Sequence, residues 1–170
     1  MNSNLRFDFS VDKNAKTIHV ARQFSAPLPL VWKAWTTAEL LDQWWAPAPW
    51  TAETQSMDFR NGGHWHYAMV SPEGDKHYAK AFYQTIVPEQ SVTAKDTFSD
   101  AAGNVAEALP QNLTEQHFSA TGDQTQVDIL LRFEDLKDLE TTIEMGFKEG
   151  FTAGLQNLDV LLEKLQSAAA

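Results

Sequence analysis

Cysteine is absent from the chain. Its absence removes disulfides, thiolate metal sites and cysteine nucleophiles together, and it fits a reducing cytoplasm, which is the expected location. Basic residues are scarce: 13 Lys and Arg stand against 23 Asp and Glu, for a formal net charge of −10. A surface that acidic repels nucleic-acid phosphates and anionic lipids, so neither is expected as a partner. No stretch approaches the ~20 apolar residues of a membrane span. The segment from Met1 to Asp12 lacks the basic-then-apolar pattern of a secretion signal. There is also no G-x-S-x-G elbow and no glycine-rich phosphate loop opening a helix, so nucleophilic and nucleotide chemistry lack a motif. No cofactor is expected.

What is present is a chain of 170 residues, 43% of them apolar, enough for one domain with a substantial core. The run Leu5, Phe7, Phe9, Val11 alternates with polar neighbours, the period of a half-buried strand. After a turn at Asp12–Ala15, Ile18, Val20 and Phe24 alternate again, which predicts an opening hairpin. Two short helix-like runs follow, one around Leu30–Trp35 and one around Leu40–Trp45, stopped by Ala46-Pro47-Ala48-Pro49. Strand-like runs then occupy Thr51–Phe59, Gly63–Val70, Lys76–Val87, Val92–Phe98, Leu113–Ala120 and Gln124–Phe133, with short turn signals between them. Consecutive strands with short turns predict an antiparallel meander.

The last element carries Ile143, Phe147, Phe151, Leu155, Leu158, Leu162 and Leu165 at spacings of three and four, which predicts one helix over Leu139–Gln166. At 1.5 Å per residue such a helix is ~40 Å long and crosses a whole small sheet. The expected fold class is therefore α+β: a helix-grip arrangement in which a curved antiparallel sheet of about six to eight strands wraps a long C-terminal helix. Residues 16–165 are expected to form this single domain, and residues 1–15 an N-terminal extension adding one more strand.

Register can be argued for one hairpin. A three-residue loop at Asn61-Gly62-Gly63 sets Phe59 against Trp65 and Met57 against Tyr67. Met57, Phe59, Trp65, Tyr67 and Met69 then share the concave face, and His64 and His66 point outward as surface histidines. His77 falls ~13 Å from His66 along the next strand, too far for shared ligation, so no metal site is expected. On that next strand either Tyr78, Lys80 and Phe82 or Ala79, Ala81 and Tyr83 face inward. A buried Lys80 would favour an acidic ligand.

Gly146, Gly150 and Gly154 lie four apart, so within one helix they share a face. Each costs ~1 kcal/mol relative to alanine in a helix interior. Two accounts offset that: close approach of helix to sheet, or a cavity between them walled by Phe147 and Phe151. Trp44, Trp45 and Trp50 are either core residues or the mouth of that cavity. Arg22 shares strand parity with Val20 and Phe24, and is either a salt-bridged structural residue or the polar anchor of the pocket.

The chain also resembles a known family. Arg22-Gln23-Phe24-Ser25-Ala26-Pro27, Val31-Trp32-Lys33-Ala34-Trp35-Thr36 and Trp44-Trp45-Ala46-Pro47 are similar to the opening signature of relatives of the activator of heat-shock protein 90 ATPase, in the START-like (SRPBCC) superfamily. Met57–Trp65, Phe98–Asn104 and Glu144–Phe151 resemble later blocks in the same order. The resemblance implies a helix-grip fold with a cavity between sheet and helix, and it does not fix an activity. The expected function is a non-enzymatic module binding a hydrophobic, lipid-like small molecule. One alternative is a co-chaperone acting on a heat-shock chaperone. Another is a cyclase- or hydrolase-type enzyme using the same cavity, with Asp58, Arg22 and Tyr67 as acid–base candidates.

Overall fold

The computed structural model describes residues 5–169. Eight strands and four helices follow one another as β1 (Phe7–Asp12), β2 (Thr17–Phe24), α1 (Leu28–Thr36), α2 (Ala38–Trp44), β3 (Thr51–Asp58), β4 (His64–Val70), β5 (Lys76–Val87), β6 (Ser91–Ser99), β7 (Asn112–Thr121), β8 (Gln124–Arg132), α3 (Leu136–Glu144) and α4 (Phe147–Ala169). The strands form one antiparallel sheet in the order β1-β2-β8-β7-β6-β5-β4-β3. The meander therefore runs from β3 to β8, and the opening hairpin closes onto β8. Residues 1–4 of the expected N-terminal extension lie outside the described part. The strand β1 within it is an edge, and of its apolar residues only Phe9 packs inward, 6.1 Å from Phe147 between ring centroids. Phe7 and Val11 are 42% and 39% exposed, so the alternating pattern there overstated the burial.

The final helix is not one element. It divides at Met145-Gly146 into α3 and α4. Gly146 has φ +87°, a conformation glycine adopts without strain, and its N–H donates to the Ile143 carbonyl at 3.0 Å. The apolar stripe continues across this break, which is why spacing alone read the two helices as one.

The β3–β4 register also differs from the expected one. Met57 faces Trp65 and Asp58 faces His64, so residues 59–63 form the connection. The turn folds back on β5, where Gly62 donates to the Tyr83 carbonyl and Tyr83 donates to that of Gly63, both at 3.0 Å. Gly63 is required there, since a Cβ would fall 1.9 Å from the Asp58 carbonyl oxygen. The slip is of an even number of residues, so side-chain parity survives and Met57 stays on the concave face with Trp65. A bulge between Thr54 and Ser56 then turns Thr54 inward beside Tyr67.

His66 is buried, contrary to its reading as a surface histidine. It does lie on the convex face, but residues 100–104 fold over it, and its Nε2 meets the Asp100 carbonyl at 3.1 Å. Lys80, its partner across β4–β5, donates to the Gly103 carbonyl at 3.3 Å. Lys80 therefore braces that loop from outside the sheet and faces away from the concave side.

The dense core lies between β2, β8 and the C-terminal part of α4. Ile18, Val20, Phe24, Val127, Leu155 and Leu158 are all 0–1% exposed. Arg22 sits at this edge, half over the Phe24 ring at 4.9 Å and ion-paired with Asp159 of α4. It is the salt-bridged structural residue of the two readings, and it does not line the cavity described next.

Candidate functional site

A cavity of about 380 Å³ lies between the sheet and the N-terminal part of α4. Its origin is side-chain size. Across the concave face, Trp65 pairs with Ala81, Ala81 with Asp96, and Tyr83 with Ala94. Ala79, Ala81 and Ala94 project only a methyl group where larger residues would meet the helix, and Gly150 projects nothing from the helix side. A Cβ at Gly150 would find only Pro47 Cγ, at 3.8 Å. The open question about β5 is thus answered: Ala79, Ala81 and Tyr83 face the cavity.

Eight of the residues expected from the sequence line this space: Trp45, Phe59, Trp65, Tyr67, Met69, Phe147, Gly150 and Phe151. Trp44 does not. It is fully buried behind the wall, its Nε1 donating to the Ala34 carbonyl at 2.9 Å. Trp50 lies outside, tilted against His77 at 5.5 Å. Met57 packs on the core without reaching the lining. Gly154 also stays off the lining, for a reason separate from that of Gly150. A Cβ there would be 3.1 Å from the Trp45 carbonyl oxygen and 3.4 Å from that of Trp44. Asn157, one turn on, donates to the Ala46 carbonyl at 2.9 Å. Gly154 therefore admits the C-terminal end of α2, whose last carbonyls need donors. Its close approach is to a helix end and not to the sheet. The three glycines so do three different jobs: a helix stop at Gly146, an open wall at Gly150 and a close contact at Gly154.

The lining is strongly aromatic, and the rings are held. Trp65 stacks on Tyr67 with centroids 3.9 Å apart, and Trp45 meets both edge-on at 5.4 and 6.2 Å. The Trp65 indole N–H donates to Thr54 Oγ1 at 3.0 Å, and Thr54 donates in turn to Asp42 of α2 at 2.6 Å. This relay from α2 through the bulged β3 fixes the orientation of a wall residue. Trp35, from α1, touches Trp44, Trp45, Phe118 and Phe151 edge-on. Such pairs add ~0.5–1.5 kcal/mol each beyond their buried area. At Met145, which is 54% exposed, the lining reaches the surface, beside the break between α3 and α4.

One charged residue faces this apolar space: Asp96, on β6. Its Oδ2 accepts hydrogen bonds from the Thr114 hydroxyl and, at 3.4 Å, from Asn112 Nδ2. Among the described residues it has no ion-pair partner. The carboxylate keeps some accessible surface, but protein surrounds it and that surface faces the cavity. Desolvation dominates, and it raises the pKa from 3.8 to about 6 against the lowering effect of Thr114 and Asn112. Tyr67 and Tyr83 are also raised, first by burial and then by the negative charge of Asp96, so both phenols stay protonated. Trp45, edge-on to Tyr67, acts on that phenol in the lowering direction and is outweighed. Reasoning from sequence proposed Asp58 and Arg22 beside Tyr67 as titratable candidates. Asp58 instead forms a surface pair with Arg60 at 2.7 Å. Among the described residues no three His, Cys, Asp or Glu side chains come together in a way that could hold a metal ion.

A curved antiparallel sheet gripping a long C-terminal helix, with a cavity between them, defines the helix-grip, START-like class. The sequence matches the family described as activator of Hsp90 ATPase homolog 1-like protein over residues 25–163, and the chain belongs to that family. Solved structures agree on the fold. A protein from Arthrobacter aurescens solved by NMR is similar at 25% identity, with TM-score 0.87 over 92% of this chain and 91% of that one. The crystal structure of protein Ms6760 from Mycobacterium smegmatis is similar at 23% identity, with TM-score 0.85 over 93% and 96%. The AHSA1 protein from Silicibacter pomeroyi is similar at 19% identity, with TM-score 0.68 over 86% and 97%. No curated protein matches the sequence significantly. Among the described residues, no helix is long and apolar enough to cross a membrane.

Proposed function

We propose that this chain is a binding module for a small, largely apolar molecule held between the sheet and the start of α4. The observation that carries this reading is the cavity of about 380 Å³, which falls within the ~300–1,000 Å³ of small-molecule sites. Its walls are rigid aromatic rings with few polar groups, the usual make-up of such sites. Gly150 and the three alanines keep the space open even though alanine or leucine at Gly150 would strengthen the helix, so openness itself carries a cost to stability. Intrinsic tryptophan fluorescence reads binding directly, since Trp35, Trp45 and Trp65 line the space. A panel of sterols, flavonoids, aromatic polyketides and fatty acids should quench or shift that emission in the parent chain and not in Gly150→Leu, which fills the cavity. Equal responses from a folded Gly150→Leu chain would overturn the reading.

An acid–base enzyme is the second reading, and Asp96 is what favours it. A carboxyl with a pKa of about 6 in an apolar pocket is suited to proton transfer near neutral pH. The lining offers it no second group that titrates near neutrality, since Tyr67 and Tyr83 are both driven the other way. Binding is therefore the stronger reading. The family description also names a chaperone ATPase. Stimulation of such an ATPase by the Gly150→Leu chain as well as the parent would place that role outside the cavity.

A further inference from the structure

Beyond apolarity, the lining has a particular chemistry. Among the described residues it contains the aromatic Trp35, Trp45, Trp65, Tyr67, Phe147 and Phe151 among others, and no Lys, Arg, His or Glu. Asp96 is the single formal charge within it. Its Oδ2 is occupied by Thr114 and Asn112, while Oδ1 accepts no hydrogen bond among the described residues. A negative charge without a counter-ion, set among ring faces, is poorly solvated as it stands. A cation would be held twice, by the carboxylate and by the negative faces of the rings. An anionic ligand would meet repulsion with no basic residue to offset it. The chain's net charge of −10 also draws cations and repels anions at a distance.

We propose that the ligand carries a protonated amine on an apolar, ring-sized skeleton, and that Asp96, presented by Asn112 and Thr114, binds that ammonium group inside the aromatic cavity. This inference rests on the binding reading above and narrows it to one class. It also reverses the expectation attached to Lys80. Because β5 turns Lys80 to the convex face, no amine among the described residues faces the cavity, and an acidic ligand has no partner among them.

Three probes with one skeleton test the assignment: phenylbutylamine, phenylbutanol and phenylbutyrate, titrated by fluorescence and by ligand-observed NMR. A desolvated charge-assisted contact of ordinary strength makes the amine bind about tenfold more tightly than the alcohol, with the carboxylate weakest. Asp96→Asn keeps the shape and both neighbours and should bring amine and alcohol level. Gly150→Leu should abolish all three. On the parent chain, the preference for amine should be full at pH 7.5 and fade below about pH 6 as Asp96 takes up its proton. The other groups facing Asp96 are Tyr67, Tyr83, Thr114 and Asn112, none of which changes charge in that range. An amine that binds no better than the alcohol, or a preference that persists in Asp96→Asn, overturns the ammonium assignment. If the alcohol still binds the parent chain and not Gly150→Leu, the cavity reading survives that result. Failure of all three probes to bind overturns both.

Discussion

The two halves of the space under α4 are built from the same sheet and the same helix, yet one is solid and the other hollow. At the β2–β8 end, Val20, Phe24 and Val127 meet a helix face carrying Leu155 and Leu158, all 0–1% exposed. At the β4–β6 end, the inward positions hold Ala79, Ala81 and Ala94, and the helix offers Gly150. The surrounding rings are too stiff and too tightly paired with one another to collapse into the gap. A void in this fold is thus made by small residues on two facing surfaces together with a rigid frame that cannot follow them inward.

That contrast should appear in stability. Leu158→Ala removes a fully buried side chain at the solid end and should cost ~2–5 kcal/mol in denaturant unfolding, whereas Met69→Ala, whose side chain already borders a void, should cost well under that. Comparable losses at the two sites would mean that the hollow end is as closely packed as the solid one.

Asp96→Asn should act in the opposite direction. Asp96 is raised from 3.8 to about 6, chiefly by desolvation. Between about pH 4 and 6 the native carboxyl therefore holds a proton that the unfolded chain has already released. Its contribution to stability falls as pH rises through that window and stays low above it. At 1.36 kcal/mol per pKa unit, the asparagine variant should gain up to ~3 kcal/mol relative to the parent at pH 7, and little at pH 4. The changed bonds to Thr114 and Asn112 make that figure an upper limit. Thermal melts of both chains at the two pH values check it, and a difference that does not depend on pH would remove the buried-charge account.

The glycines sharpen the comparison at smaller scale. Gly154→Leu forces side-chain atoms against the Trp44 and Trp45 carbonyls and should destabilise by ~1–3 kcal/mol. Gly150→Leu enters open space, so stability should hold or rise by up to ~1 kcal/mol from helix propensity. The smallest effect belongs to the edge strand, where Val11→Thr, at a 39% exposed position, should stay within ~0.5 kcal/mol of the parent.

Most of the architecture was legible because period and turn residues are local. Every strand from β3 to β8 fell within a residue or two of its expected bounds. The concave face of β4 was legible as well, since Trp65, Tyr67 and Met69 alternate with polar or smaller neighbours. What stayed hidden depended on contacts distant in sequence. His66 looks exposed until the loop at residues 100–104 folds over it. On β5, aromatic residues stand at Tyr78 and Phe82 on one face and Tyr83 on the other, so parity could not be chosen without β6 beside it. Asp96 was passed over: flanked by Lys95 and Thr97 it reads as solvent-facing, yet it shares strand parity with Val92, Ala94 and Phe98, and the pairing with Ala81 and Asn112 sets it on the concave side. Gly146 was seen but misassigned, because the apolar spacing runs unbroken across the point where the backbone changes sign in φ.

The strand order has a consequence for how the chain acquires its shape. Six of the seven strand pairings join neighbours in sequence, and each can zip from its own turn. The seventh, β2 with β8, joins Arg22 to Val127 and Val20 to Ile129, more than a hundred residues apart. Loop closure of that span comes late, since local hairpins form in microseconds and distant pairing carries the larger entropic barrier. On the ribosome, at ~5–20 residues per second, β2 waits roughly 5–20 s for its partner to be made. The most deeply buried strand of the sheet is therefore the one that waits longest for its partner, and the solid end of the molecule is the last part to form.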